Sequence, residues 1–221
     1  MSSSQNVPPE SRGLARLFRT RVETAEIAYY AAWAVKIIDP LHERLKRKPT
    51  LRKSTAADIE RIVRATHNPF VVSSTVEVSK RGHLKITEVM LSTTLDRDDN
   101  WDDPEWEKSI GFVKCVITTE GGMKIESNPI VSISAHAVGR WFERSGSRDE
   151  TKLLHDLKMI LEAEHPDHAL ATHGVWLGAA KSAFTHINKE NVKRMPVRMV
   201  RTYLHADQIN VSTWNPDRVA A

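Results

Sequence analysis

Cysteine is almost absent. One residue, Cys115, occurs in 221, so no intramolecular disulfide can form, and the chain suits a reducing compartment. Cys115 stands inside Phe112-Val113-Lys114-Cys115-Val116-Ile117, which predicts a small buried hydrophobe rather than an activated thiol. Long apolar runs are missing too. The most membrane-like stretch, Ile27–Ile38, is bracketed or broken by Glu26, Lys36 and Asp39, and it falls short of the roughly 20 residues that span a bilayer. It reads as a buried helix. The first ten residues hold no basic stretch followed by an apolar one, so no secretory signal is expected there. These absences predict a cytoplasmic protein with no membrane partner. Glycines are few and scattered, with no Gly-x-x-x-x-Gly-Lys loop and no Gly-x-Ser-x-Gly elbow. That excludes a P-loop nucleotide site and an elbow-type serine hydrolase.

What is present is an ordinary globular composition, 40% hydrophobic and 27% charged. The net charge of +4 is unevenly spread. Residues 1–67 hold 13 Lys/Arg against 7 Asp/Glu, and residues 68–133 hold 7 against 11. A basic flank is compatible with a polyanion partner.

Residues 1–11, rich in Ser and Pro, are expected to form a disordered lead, residues 12–67 a helical segment, and residues 68–221 an α+β domain, with 12–67 either separate from it or part of it. Apolar residues recur at helical spacing from Gly13 to Ile38, and Pro40 is expected to end or kink that helix. A basic connector carries Arg44, Lys46, Arg47, Lys48, Arg52 and Lys53. A second helix, Ala56–Thr66, is expected to be capped by Ser54 or Thr55. Alternation over Phe70–Val78 and Leu84–Leu91 about Lys80-Arg81-Gly82 predicts a β-hairpin. Strands are expected near Ile110–Thr118 and Lys124–Ser132, the latter interrupted at Asn128-Pro129, and then at Val175–Ala180 and Val197–His205. Helices are expected at Ala135–Ser145, capped by Ser134 and stopped by Gly146, and at about Asp149–Glu164. The fold class is therefore α+β: N-terminal helices, and a mainly antiparallel sheet with two central helices packed on it.

The most site-like segment is the helix around His136. Helical geometry gathers His136, Arg140, Glu143 and Arg144 within roughly 100° of arc, opposite an apolar arc of Val138, Trp141 and Phe142. An imidazole can move a proton near neutral pH, and guanidiniums can neutralise charge on a phosphate in transition. Any amphipathic surface helix also has a charged arc, and Arg140 with Glu143 has the spacing of a simple ion pair. The last predicted strand adds a second feature. Period 2 puts Val197, Met199, Arg201, Tyr203 and His205 on one face, a composition suited to gripping phosphate and stacking on a base.

Residues 133–146, Ile-Ser-Ala-His-Ala-Val-Gly-Arg-Trp-Phe-Glu-Arg-Ser-Gly, resemble the His-Ala-x-x-Arg-x-x-x-Arg helix of RelE/BrnT-like toxin ribonucleases. Val197-Arg-Met-Val-Arg-Thr-Tyr203 is similar to a strand that follows in some of them. The resemblance implies an RNA-cleaving fold of helices on an antiparallel sheet, with His136, Arg140, Arg144, Arg201 and Tyr203 near the site. His205 closes the same strand face and joins this candidate catalytic set.

The leading expectation is an RNA-acting protein, in its sharpest form a metal-independent ribonuclease, needing neither metal nor cofactor. One alternative is a non-catalytic nucleic-acid-binding protein using the basic connector. Another is a protein-interaction module, such as a mobile-element regulator or inhibitor, acting through the acidic loop 96–107 with Trp101 and Trp106. That loop spaces its acids like a calcium loop but has Trp101 where the turn needs glycine. The histidines at 165, 168 and 173 match no metal-binding spacing. Nothing in the sequence fixes an oligomeric state.

Overall fold

The computed structural model describes residues 7–48, 50–66, 68–93, 109–163, 168–186 and 192–209, with backbone alone at 53, 179–186 and 192–198. Helices α1 (Pro9–Trp33), α2 (Asp39–Arg47) and α3 (Lys53–Ala65) precede strands β1 (Val71–Val78), β2 (Leu84–Ser92), β3 (Ile110–Thr118) and β4 (Lys124–Ile133). Then come α4 (Ala135–Ser145), α5 (Glu150–Glu162), β5 (His168–Ala171), β6 (Gly174–His186) and β7 (Val192–His205). The strands hydrogen-bond in the order β1-β2-β3-β4-β7-β6-β5. The pairs β1–β2, β5–β6 and β6–β7 are antiparallel, while β4 and β7 run parallel. The class is α+β, as the patterning predicts.

Two compact units are present: residues 1–21, 93–111 and 129–221 form one, and residues 22–92 with 112–128 form the other. In the second unit the buried residues of α1 and α2 fall four or three apart: Val22, Glu26, Tyr29, Trp33, Ile37 and Leu41. Pro40 does not end the helix. A π-helical turn at Ala34–Ile38 bridges α1 and α2, leaving Pro40 in the first turn of α2, where its missing N–H costs little. Leu51 and the Ile59/Val63 face of α3 join Leu84, Ile86, Met90 and Ile117 in this unit's core. Helix α3 starts at Lys53 with no side-chain cap, so neither Ser54 nor Thr55 plays that role. Among the described residues no helix is long and apolar enough to cross a membrane.

Alternation on β2 buries residues 84, 86, 88, 90 and 92, and so drives one carboxylate, Glu88, into the interior. Tyr29 Oη donates to its Oε2 at 2.6 Å and Ser74 Oγ to its Oε1 at 2.9 Å. Burial raises the Glu88 pKa, and these two hydrogen bonds offset only part of that rise. Burial first, and the charge of Glu88 second, push the Cys115 thiol up to about 11. That suits an inert core cysteine. Because folded Glu88 holds its proton more tightly than the unfolded chain does, its contribution is fully present below the ordinary carboxylate pKa. It is lost as pH rises through the raised value. Glu88→Gln keeps an acceptor for Tyr29 and a polar partner for Ser74 while removing the buried charge. The expected result is a higher urea midpoint at pH 7.5 and a flatter midpoint-versus-pH curve. A midpoint lowered equally at pH 4 and pH 7.5 would show that charge burial is not the issue.

In the first unit, Val7 is buried and α1 begins at Pro9, so the expected disordered lead is ordered from residue 7 onward among the described residues. Gly139 explains the fit: a Cβ there would sit 3.0 Å from Val7 Cγ1, and without it the valine packs against α4. Arg21 reaches Glu150 at 2.7 Å, and Arg148 pairs with Glu10. Both are exposed contacts of small energetic weight.

Candidate functional site

Helix α4 is held at both ends. At its N-terminus the backbone of buried Ser134 is extended, and its Oγ accepts from Ala137 N at 3.1 Å, the cap the sequence predicts. The same hydroxyl donates to the carbonyl of Arg201 at 3.2 Å, and Ser134 N donates to Val200 O at 3.0 Å. At the other end Gly146 takes the left-handed conformation, φ 63°, and Arg144 Nη1 donates to the carbonyl of Tyr203. Ala137, Val138, Gly139, Trp141 and Phe142 form the buried side.

The polar arc lies where helical periodicity puts it, and it is internally bonded. Arg140 Nη1 donates to Glu143 Oε2 at 2.7 Å, with only 13% of the arginine side chain exposed. Arg140 Nε lies 3.5 Å from His136 Nε2, at the outer limit of a hydrogen bond. A guanidinium can only donate, so a hydrogen bond at this contact uses the Nε2 lone pair of the imidazole. Burial lowers the Arg144 pKa, and the neighbouring Arg140 lowers it further.

Strand β7 departs from its predicted alternation. Its register with β6 runs Trp176↔Tyr203, Leu177↔Thr202 and then Gly178↔Val200, leaving Arg201 as the extra residue of a β-bulge. The bulge turns Arg201 into solvent while Tyr203 is fully buried. Gly178 makes this possible, since a Cβ there would collide with the backbone of Met199. Tyr203 packs on Trp176 with ring centroids 5.0 Å apart. Burial, aided by the charge of Asp156 and opposed by Arg144, raises its phenol to about 12. A side chain so placed offers no stacking surface to a base. Tyr203 supports the site with its backbone carbonyl instead.

His205 is partly buried and has a local task. Its Nδ1 accepts from Asp207 N at 3.4 Å, capping the turn Ala206–Gln208, and it lies 3.1 Å from the Asp207 carboxylate. One nitrogen cannot accept from the backbone and donate to the carboxylate together, so the two contacts are alternatives.

The sequence reading also missed a buried carboxylate. Asp156 on α5 accepts from Trp141 Nε1 at 2.7 Å, from Thr172 N at 2.9 Å and from Thr172 Oγ1, while its own carbonyl accepts from Trp176 Nε1 at 3.1 Å. One residue thus fastens α4, α5 and the β5–β6 turn beneath the polar arc. The available signal was position: 153, 156, 157 and 160 are the inward residues of α5, and an acid among them needs donors.

In the other unit, Arg44, Lys46 and Arg47 end α2, Lys48 is its C-cap and Arg52 precedes α3, all five exposed. The side chain of Lys53 lies outside the described residues, as do the acidic loop 96–107 with Trp101 and Trp106, and His165. Among the described residues no group of three His, Cys, Asp or Glu could hold a metal ion. No family model, curated protein or solved structure matches the chain.

Proposed function

We propose that this protein acts on RNA, with the polar arc of α4 and the bulge of β7 as its phosphate-binding and cleaving centre. One observation carries the reading. The Ser134–Arg201 hydrogen bond fastens the first turn of α4, which bears His136, beside the bulge that exposes Arg201. An imidazole able to accept a proton and an unspent guanidinium thereby rest on rigidly joined elements, as phosphodiester chemistry without a metal requires. The local likeness to toxin ribonucleases points the same way.

In this reading His136 takes the proton of the ribose 2′-hydroxyl. The 2′-oxygen bonds to phosphorus and the bond from phosphorus to the 5′-oxygen breaks. The leaving oxygen takes a proton from solvent, and the products are a 2′,3′-cyclic phosphate and a 5′-hydroxyl. Arg201 and Arg140 meet the phosphate, Arg140 exchanging Glu143 for it. Arg144, committed to the Tyr203 carbonyl, acts by position and by its charge.

The test is incubation of the purified protein with end-labelled RNA in the presence of EDTA. Fragments ending in cyclic phosphate are expected. Arg201→Ala, a change at an exposed side chain, is expected to slow cleavage by roughly 10- to 100-fold, the worth of one charge-assisted hydrogen bond. Intact RNA, or a variant as fast as wild type, would refute the assignment.

A non-catalytic nucleic-acid-binding role is the second reading. It is favoured by the commitment of Arg140 to Glu143 and of Arg144 to a backbone carbonyl. It predicts RNA binding without fragments.

A further inference from the structure

The second unit carries a separate cationic surface that two distant stretches of chain build together. Leu51, in the basic connector, is buried and donates its N–H to Gly82 O at 2.9 Å. Gly82 has φ +80°, and a Cβ there would lie 2.8 Å from Leu51 O and 3.1 Å from Thr50 Cβ. The connector and the β1–β2 turn therefore touch backbone to backbone, and the absence of a side chain at 82 is what lets them. Arg44, Arg47, Lys48 and Arg52 stand on one side of this contact, and Lys80 and Arg81 on the other, all exposed. Among the described residues, Lys46 is paired, to Glu43 at 2.6 Å, while Lys85 faces Glu77 only as its register partner across β1–β2.

We infer that this elbow is a docking surface for the phosphate backbone of double-helical nucleic acid, read without regard to sequence. Three features select that partner. Six cations at one junction, unpaired among the described residues, supply the charge that releases counterions from a polyanion. Residues 44–53 and 79–82 contain no Phe, Tyr or Trp, so unpaired bases find nothing to stack on. Leucines 45 and 51 are half-buried and buried, so among the described residues the surface lacks the apolar anchors that a membrane or a protein partner would use. The surface lies on its own unit and does not depend on cleavage at α4.

Fluorescence anisotropy with the full chain and labelled 20-base-pair duplexes of unrelated sequence, from 50 to 300 mM KCl, tests this. Affinity is expected to be the same for the different sequences. For duplex DNA, the slope of log K against log salt is expected to flatten by about 1.8 in Lys80→Ala/Arg81→Ala, about 0.9 per lost phosphate contact. Binding at 0.1 M salt should weaken by at least about tenfold. Arg44→Ala/Lys48→Ala should give the same change from the other side of the contact, and His136→Ala should give none. Unchanged slopes in both double variants would overturn the inference. So would poly-L-glutamate competing as well as duplex at equal charge, since the surface would then suit an acidic peptide.

Discussion

Replacing His136 with alanine is expected to slow RNA cleavage by roughly 100- to 10,000-fold, the usual range for loss of a general base. The expected change in RNA affinity is less than about twofold, because Arg140 and Arg201 remain. The separation of the two effects identifies the role. His136 lies on the half-exposed arc of α4, whose inward side is filled by Ala137, Val138, Trp141 and Phe142, so its removal leaves no core cavity. It also frees Arg140 Nε, which can only help an anion to bind. Single-turnover rates with protein in excess measure the chemical step directly. A variant that cleaves at the wild-type rate removes the imidazole from the mechanism. One that loses binding and cleavage in parallel makes His136 a binding residue.

The second large effect is on stability. Asp156→Ala is expected to lower the stability of the first unit by roughly 3–5 kcal/mol, because Trp141 Nε1–H, Thr172 N–H and Thr172 Oγ–H lose their acceptor together. Against the 5–15 kcal/mol typical of a whole domain, that is enough to leave the variant marginal. Asp156→Asn retains one acceptor but turns an amide N–H₂ toward one of these donors, and is expected to fall between wild type and Asp156→Ala. Urea denaturation followed by near-ultraviolet circular dichroism of the buried tryptophans checks both. A loss below about 1 kcal/mol in Asp156→Ala would show that water replaces the carboxylate at little cost.

Much of this architecture is legible in the sequence because its signals are local. The β1–β2 hairpin follows from alternation about Lys80-Arg81-Gly82, and α4 with its Ser134 cap and Gly146 stop follows from periodicity and end chemistry. The grouping of His136, Arg140 and Glu143 needs only 3.6 residues per turn. What escapes is set by neighbours distant in sequence. Arg201 and Tyr203 share a face under strict period 2, but the register with β6 inserts a bulge between them, exposing one and burying the other. No residue near 201 announces that bulge; Gly178, on the partner strand, permits it. The parallel pairing of β4 with β7 joins segments more than sixty residues apart. Pro40 reads as the end or a kink of the helix, yet a π-turn before it carries α1 on into α2. Asp156 reads as one acid among many on a surface helix until Trp141 and Thr172 are seen to point at it.

The central claim is that the α4 arc and the β7 bulge perform transesterification at an RNA phosphodiester. It is tested most directly with a single RNA oligonucleotide and a twin carrying one 2′-deoxy nucleotide at the site of cleavage, both under single-turnover conditions in EDTA. The RNA is expected to be cut to a 2′,3′-cyclic phosphate, while the twin stays intact at that bond but binds equally well. Cleavage of both at the same bond, or of neither, would contradict it.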